Sequence, residues 1–125
     1  MHTSAPSPRS ARALAILGTG HALPERIVTS AELDPQLGLE AGSVARISGV
    51  LQRHVAGPAD NAASLGASAA RRALQAAGVD LAQLDLIVCA NGTQDQGMPC
   101  NAALLQRELG LGHSGIPAMD INASC

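Results

Sequence analysis

Three cysteines and four histidines are the residues of this 125-residue chain best suited to nucleophilic or acid–base chemistry, and Cys125 is the best placed of them. It follows Asn122-Ala123-Ser124, directly after a predicted strand over residues 117–121. The small residues at 123 and 124 permit the tight turn that lifts a nucleophile above the carboxyl edge of a sheet. A helix starting there would stabilise the thiolate through its dipole and free N–H groups. Free cysteines are also among the most buried residue types, so position alone leaves an inert core thiol as the competing reading.

The other candidates carry less. Cys89 falls mid-strand and Cys100 near a helix start, which reads as core or surface packing rather than nucleophilic chemistry. An odd number of cysteines without C-x-x-C spacing suits neither a disulfide framework nor a zinc ribbon, and predicts a reducing, cytoplasmic home. His21 lies in a strand-exit loop, His54 beside Arg53 and His113 in a Gly-Ser turn. All three read as solvated or structural histidines, and their spacing with the cysteines matches no usual metal set. Gly18-Thr19-Gly20 begins like a dinucleotide fingerprint, but Leu23 stands where the third glycine belongs and Pro24 where the helix should open.

Composition narrows the function classes. With 46% hydrophobic and 14% charged residues the chain has enough apolar surface to fold. It contains no Phe, Tyr or Trp, so its core must come from aliphatic side chains and alanine, and its helices should pack closely. A net charge of −2 without aromatic stacking platforms argues against a nucleic-acid partner. No apolar run approaches the roughly 20 residues that cross a bilayer, which predicts a soluble protein. Residues 1–12 are rich in Ser, Pro and Arg and read as a disordered tail, leaving residues 13–125 as one partial domain.

The elements that would position Cys125 follow from periodicity. Residues 13–18 form a short apolar run closed by Gly18, read as a first buried strand. Thr29-x-x-Glu32 is a capping box for a short helix running towards Leu37, and residues 39–58 read as loop. Asp60 or Asn61 caps a helix ended by Gly78, with Ala62, Leu65, Ala69, Ala73 and Ala76 at helical spacing. Residues 84–90 read as a strand covered on both faces. Pro99 suits the first turn of another helix, with Ala102, Leu105 and Leu109 on one face and Gly110 as its stop. With the strand at 117–121 the order predicts a parallel, right-handed βαβαβ layer whose next element would be a helix after Cys125.

Several segments, in shared order and spacing, resemble the β-ketoacyl-acyl carrier protein synthase III family of the thiolase superfamily. They are Ile16-Leu17-Gly18-Thr19-Gly20-His21-Ala22-Leu23-Pro24-Glu25-Arg26-Ile27-Val28-Thr29, Ser48-Gly49-Val50 with Arg53-His54-Val55-Ala56, Met98-Pro99, and Met119-Asp120-Ile121-Asn122-Ala123-Ser124-Cys125. The resemblance covers most of the family's N-terminal half and none of its C-terminal half. It implies a thiolase-like α/β fold with helices covering a mainly parallel sheet, present as an incomplete N-terminal half, and makes Cys125 the acylated cysteine.

The reaction the resemblance implies is a decarboxylative Claisen condensation in two steps, with no cofactor; acyl-coenzyme A and malonyl-acyl carrier protein are the substrates. The implied partners are acyl carrier protein and, in the complete enzyme, a second copy of the chain. Met98 matches a position that reaches into the neighbouring subunit's acyl pocket, beside the alternative that it packs before its helix. The family often carries a tryptophan against the coenzyme's adenine, followed by an arginine. Here Ser43 replaces the first and Ile47 the second, with nearby Arg46 able to compensate at the pantetheine entrance, so a carrier-protein donor stays open beside coenzyme A. The histidine and asparagine that serve the second step in such enzymes have no match in residues 1–125, so the chain alone should be inactive. A non-catalytic dimerising or carrier-protein-docking module is the rival reading, and a cysteine hydrolase a weaker third because no histidine is placed to partner the thiol.

Overall fold

The computed structural model describes residues 13–122; the predicted tail over residues 1–12 and Cys125 itself lie outside the described residues. Three of its helices begin where the capping chemistry places them or close by. Helix α1, Ser30–Gln36, starts from Thr29, whose hydroxyl accepts from the Glu32 N–H at 3.2 Å while Glu32 accepts from the Thr29 N–H at 2.7 Å. That reciprocal box satisfies two groups the first turn otherwise leaves unpaired. Helix α3, Ala62–Ala77, is capped by Asn61, which accepts from the Ser64 N–H at 2.8 Å, and stops at Gly78 with φ of +65°. Helix α4, Asn101–Glu108, follows a cis Met98–Pro99 bond, with Cys100 rather than Pro99 at its threshold.

Two small sheets accompany them. Strand β1, Ile27–Thr29, pairs antiparallel with β2, Gln52–His54. Strand β3, Ile87–Ala90, pairs parallel with β4, Ala118–Ile121, in the register Ile87↔Ala118 to Ala90↔Ile121. Because α4 lies between β3 and β4 in sequence and packs on both, the second half is a β3–α4–β4 crossover unit, as the strand–helix–strand pattern predicts.

Five expectations need correction. Residues 13–18 form no strand among the described residues: Leu14 is 97% exposed and Ile16 88%, because no neighbouring strand lies alongside to take their backbone groups. The βαβαβ layer is thus reduced here to one βαβ unit plus an antiparallel pair. Residues 39–58, read as loop, contain helix α2, Ser43–Ser48, as well as β2. Both are short, and α2 is bounded by left-handed glycines, Gly42 and Gly49, so neither leaves a periodic signature in the sequence. The inward face of α3 is led by Ala63 and Ala67, while Ala62 and Ala76 are exposed. The strand predicted from residue 84 begins at Ile87, after a 3₁₀ turn over Leu81–Gln83. Nor is it covered on both faces: Ile87 is buried, but Val88 and its register partner Met119 are each 46% exposed.

The core matches what a chain without aromatic residues permits. Ala67 of α3, Ile87 of β3, and Ala102 and Leu109 at the two ends of α4 form one buried cluster, with Leu105, Cys89 and Ala118 packed against it. Small residues let the helices approach. A Cβ placed on Gly66 would lie 2.7 Å from Leu105 Cδ1, the tip of a movable side chain. In the segment before β1, a Cβ on Gly20 would lie 2.2 Å from the Ala69 carbonyl oxygen and 2.5 Å from the Ala73 nitrogen of α3, which are fixed backbone.

The two glycines should therefore respond oppositely to alanine. Gly66→Ala gains helix propensity of about 1 kcal/mol against a small rotamer shift of Leu105, leaving stability unchanged or raised. Gly20→Ala must push its segment off α3, at a cost of about 1–3 kcal/mol. Urea unfolding of both variants checks the sign, and equal responses would contradict the close backbone approach.

Candidate active site

The carboxyl ends of β3 and β4 are where an α/β fold presents chemistry, and here that edge is organised by a carboxylate. Alternation along β4 puts Ala118 and Asp120 on the face covered by α4, opposite Ile87 and Cys89 of β3. A carboxylate on a covered face must find donors. Asp120 finds them at the start of α4: the Asn101 N–H donates to Oδ2 at 3.0 Å and the Ala102 N–H to Oδ1 at 2.7 Å. The Asn91 side chain, just past the end of β3, donates to the same Oδ2 at 3.3 Å. One side chain thus ties together β4, the exit of β3 and the N-terminus of α4, where the helix dipole favours a negative charge.

A second carboxylate extends the network. Asp95 accepts from the Ala62 N–H at 2.9 Å and the Ala63 N–H at 3.0 Å, capping α3 from 33 residues away. Its own N–H donates to Asn101 Oδ1 at 3.1 Å, and Asn101 is 1% exposed. The starts of α3 and α4 are therefore joined through Asp95, Asn101 and Asp120. A third carboxylate, the buried Asp34, does the same for α2, accepting from Gly42 and Val44 N–H groups at 2.7 and 2.8 Å. Neither Asp120 nor Asn101 stands out in the sequence as a site residue. The available signal is an acid inside an apolar strand on its covered face, and it becomes legible only once α4 is known to supply the donors.

Burial works to raise the Asp120 pKa, but hydrogen bonds from Ala102, Asn91, Asn101 and Cys100 together outweigh it and hold the carboxyl below its ordinary value. Glu32 is lowered as well, chiefly by the Thr29 backbone and side chain. A carboxyl depressed in the folded state contributes stability above its unfolded pKa, and that stability disappears as pH falls through the folded value. Asp120 and Glu32 should thus contribute their full stabilisation near neutrality and lose it progressively below about pH 4. Asp120→Asn should flatten this acid limb, measured as thermal midpoint against pH; an unchanged slope would remove Asp120 from the account.

The structure distributes the other sequence candidates as follows. Cys125 lies outside the described residues, three positions beyond Asn122. Met98 is 87% exposed in the segment leading into α4. Arg46 is exposed on α2 and donates to Ser43 Oγ at 3.1 Å; Ser43 itself is only 5% exposed. Ile47, by contrast, is 77% exposed. Cys100 packs against the core at the start of α4, and half-buried Cys89 accepts from Asn91 Nδ2 at 3.5 Å. His54 Nδ1 donates to the Pro24 carbonyl, a structural role that fixes its tautomer. His21 and His113 are exposed, and the His21 carbonyl accepts from Arg72 at 2.7 Å. Among the described residues no group of His, Cys, Asp and Glu is arranged to hold a metal ion, and no helix is long and apolar enough to cross a membrane.

The parallel β3–α4–β4 unit, its helix-covered face and its carboxylate-organised edge define a partial α/β fold of the thiolase-like class. Within that class, the chain's relatives are β-ketoacyl-acyl carrier protein synthase III proteins. It is 40% identical over 110 residues to the one from Novosphingobium aromaticivorans and 37% identical over 110 residues to the one from Allorhizobium ampelinum, in each case across 88% of this chain and 33% of the relative. The crystal structure of 3-oxoacyl-acyl carrier protein synthase III from Aquifex aeolicus superposes with a TM-score of 0.75 at 29% identity, covering 86% of this chain and 34% of that one. The chain therefore spans about a third of the length of the proteins it matches. No protein-family model matches it.

Proposed function

We propose that this chain is the nucleophile-bearing portion of a condensing acyltransferase similar to β-ketoacyl-acyl carrier protein synthase III. The observation that supports the reading above others is the match across 88% of the chain, together with a strand, β4, whose carboxyl end runs into Asn122-Ala123-Ser124-Cys125. In the first step the Cys125 thiolate attacks an acyl thioester carbonyl, forms an acyl-cysteine and expels the pantetheine thiol. In the second, a malonyl thioester loses carbon dioxide, and its carbanion attacks the acyl-cysteine carbonyl. Collapse of that adduct releases Cys125 and leaves a β-ketoacyl thioester. The Cys125 N–H is a natural oxyanion donor in both steps.

On this reading Arg46 flanks the pantetheine entrance and Met98 enters the acyl pocket of a second subunit; the exposure of both side chains is compatible with those roles. Arg46 donates to Ser43, and Ser43 is buried, so α2 offers no aromatic face to an adenine ring. A carrier-protein donor that presents only its pantetheine arm needs no such face. The partners are acyl carrier protein and, in the whole enzyme, a second copy of the chain; no cofactor is required, and a net charge of −2 suits no nucleic acid. On this reading the histidine and asparagine of the second step have no match within residues 1–125, and residues 1–125 by themselves should carry out no condensation.

The test is to mix the chain with acyl-coenzyme A and locate any added acyl mass by peptide mapping. Mass on Cys125 supports the condensing reading. An unmodified Cys125 favours a non-catalytic docking or dimerising module, a reading motivated by the lack of a placed acid–base pair among the described residues.

A further inference from the structure

Asn91 is the one asparagine of the chain that precedes a glycine, and the pair Asn91-Gly92 stands where the chain leaves β3. In such a pair the glycine backbone nitrogen can close on the asparagine side-chain carbon, because no Cβ crowds the approach and the glycine backbone turns freely. The ring is small and local, so the reaction needs no other residue and only water as co-reactant.

The structure leaves the attacking nitrogen free. Asn91 is held by its own N–H, which donates to the Ile121 carbonyl at 3.3 Å and closes the β3–β4 ladder. Gly92 lies past that ladder and is exposed, and among the described residues its N–H donates to nothing. A Cβ placed on Gly92 meets nothing within 4 Å, and its φ lies outside the left-handed region, so the position is uncrowded and open to water. Asn61 and Asn101 differ on every point. Each precedes an alanine whose Cβ obstructs the approach and whose N–H is engaged, Ala62 with Asp95 at 2.9 Å and Ala102 with Asp120 at 2.7 Å.

We infer that Asn91-Gly92 is a site of spontaneous covalent modification, at which Asn91 is converted to aspartate and isoaspartate. The Gly92 nitrogen gives its proton to hydroxide and attacks Cγ of Asn91; the Cγ–Nδ2 bond breaks, and the nitrogen leaves as ammonia with a proton taken from water. Water then opens the resulting succinimide at either carbonyl. One opening gives aspartate, and the other gives isoaspartate, in which the main chain runs through Cγ. The change adds a negative charge where the structure is least suited to one. Asn91 Nδ2 donates to Asp120 Oδ2 at 3.3 Å and to Cys89 Sγ at 3.5 Å. Either product replaces that donor with a carboxylate beside a carboxylate, and the two repel. The edge that joins β3, β4 and α4 therefore loosens as the protein ages.

Peptide mapping of the full chain after incubation in mildly alkaline buffer tests it, with a synthetic peptide of residues 90–94 incubated alongside. Asn91 should gain the mass difference of OH for NH2 and appear as separate aspartyl and isoaspartyl peptides, while Asn61 and Asn101 stay intact. Gly92→Ala, which the open surroundings accommodate, should slow the conversion severalfold. Asn91→Asp, which carries the product's charge from the start, should lower the thermal midpoint. An intact Asn91 in the folded chain once the peptide has fully converted overturns the proposal. Equal conversion in Gly92→Ala overturns it too, and indicates direct hydrolysis of the side chain. An unchanged midpoint in Asn91→Asp overturns the consequence drawn for Asp120.

Discussion

Cys125→Ala should take up no acyl group from acyl-coenzyme A, whereas Cys89→Ala and Cys100→Ala should be labelled like the unsubstituted chain. The contrast follows from the reading of Cys125 as the nucleophile and from where the other two sulfurs lie. Cys89 is half-buried on the covered face of β3 and Cys100 packs against the core, so neither can present a thiolate to a bulky thioester. Loss of a nucleophile removes covalent catalysis altogether, and in enzymes of this kind of chemistry costs factors of about 10⁴–10⁶ in rate. Cys125→Ser is the more demanding version, since the hydroxyl preserves size but is hardly ionised at neutral pH. Intact-mass spectrometry after a fixed incubation reads all four proteins. Label persisting in Cys125→Ala would move the nucleophile elsewhere and remove the reason for reading the chain as a condensing enzyme.

Leu109→Ala should be the most destabilising of the simple truncations. Leu109 is 4% exposed and closes the cluster of Ala67, Ile87 and Ala102, in which two of the four members are alanines with little capacity to fill a void. Deleting a buried leucine costs about 2–5 kcal/mol, the upper half of the range applying where neighbours cannot collapse into the cavity. Set against a total of about 5–15 kcal/mol for a folded domain, that is a large fraction. With a denaturant slope near 2 kcal/mol/M, the urea midpoint should fall by about 1 M or more. Leu14→Ala, at a position 97% exposed, is the control and should shift stability by less than about 0.5 kcal/mol. Similar losses at both sites would mean that the core is not where the structure puts it.

How much of this was legible in the sequence depended on whether a signal is local. The capping box at Thr29 and Glu32, the Asn61 cap and the Gly78 stop depend on residues within a few positions of each other, and each sits where it was read. The pairing of β3 and β4 followed from a strand–helix–strand pattern with lengths suited to a crossover. Residues 13–18 carry the apolar run of a strand, but such a run is a strand only when another strand lies beside it, and among the described residues they have no such neighbour. Helix α2 leaves no trace in the sequence because six residues between two left-handed glycines are too few to show a period. The chemistry divided along the same line. A terminal cysteine after a strand is visible by eye, while the Asp95–Asn101–Asp120 relay joins residues whose partners are set by tertiary contact.

The cap on α3 bears on the order in which the molecule assembles. Asn61 can secure Ser64 as soon as the local chain bends, but Ala62 and Ala63 wait for a carboxylate that arrives 33 residues later. Closing a loop of that length costs entropy before any contact repays it, so long-range contacts of this kind form late. The body of α3 can nucleate early, while its opening turn should gain rigidity only when β3 and the approach to α4 have docked. In a refolding experiment followed by amide labelling, Ala62 and Ala63 should therefore lag behind the middle of their own helix and keep time with Asn101 and Ala102.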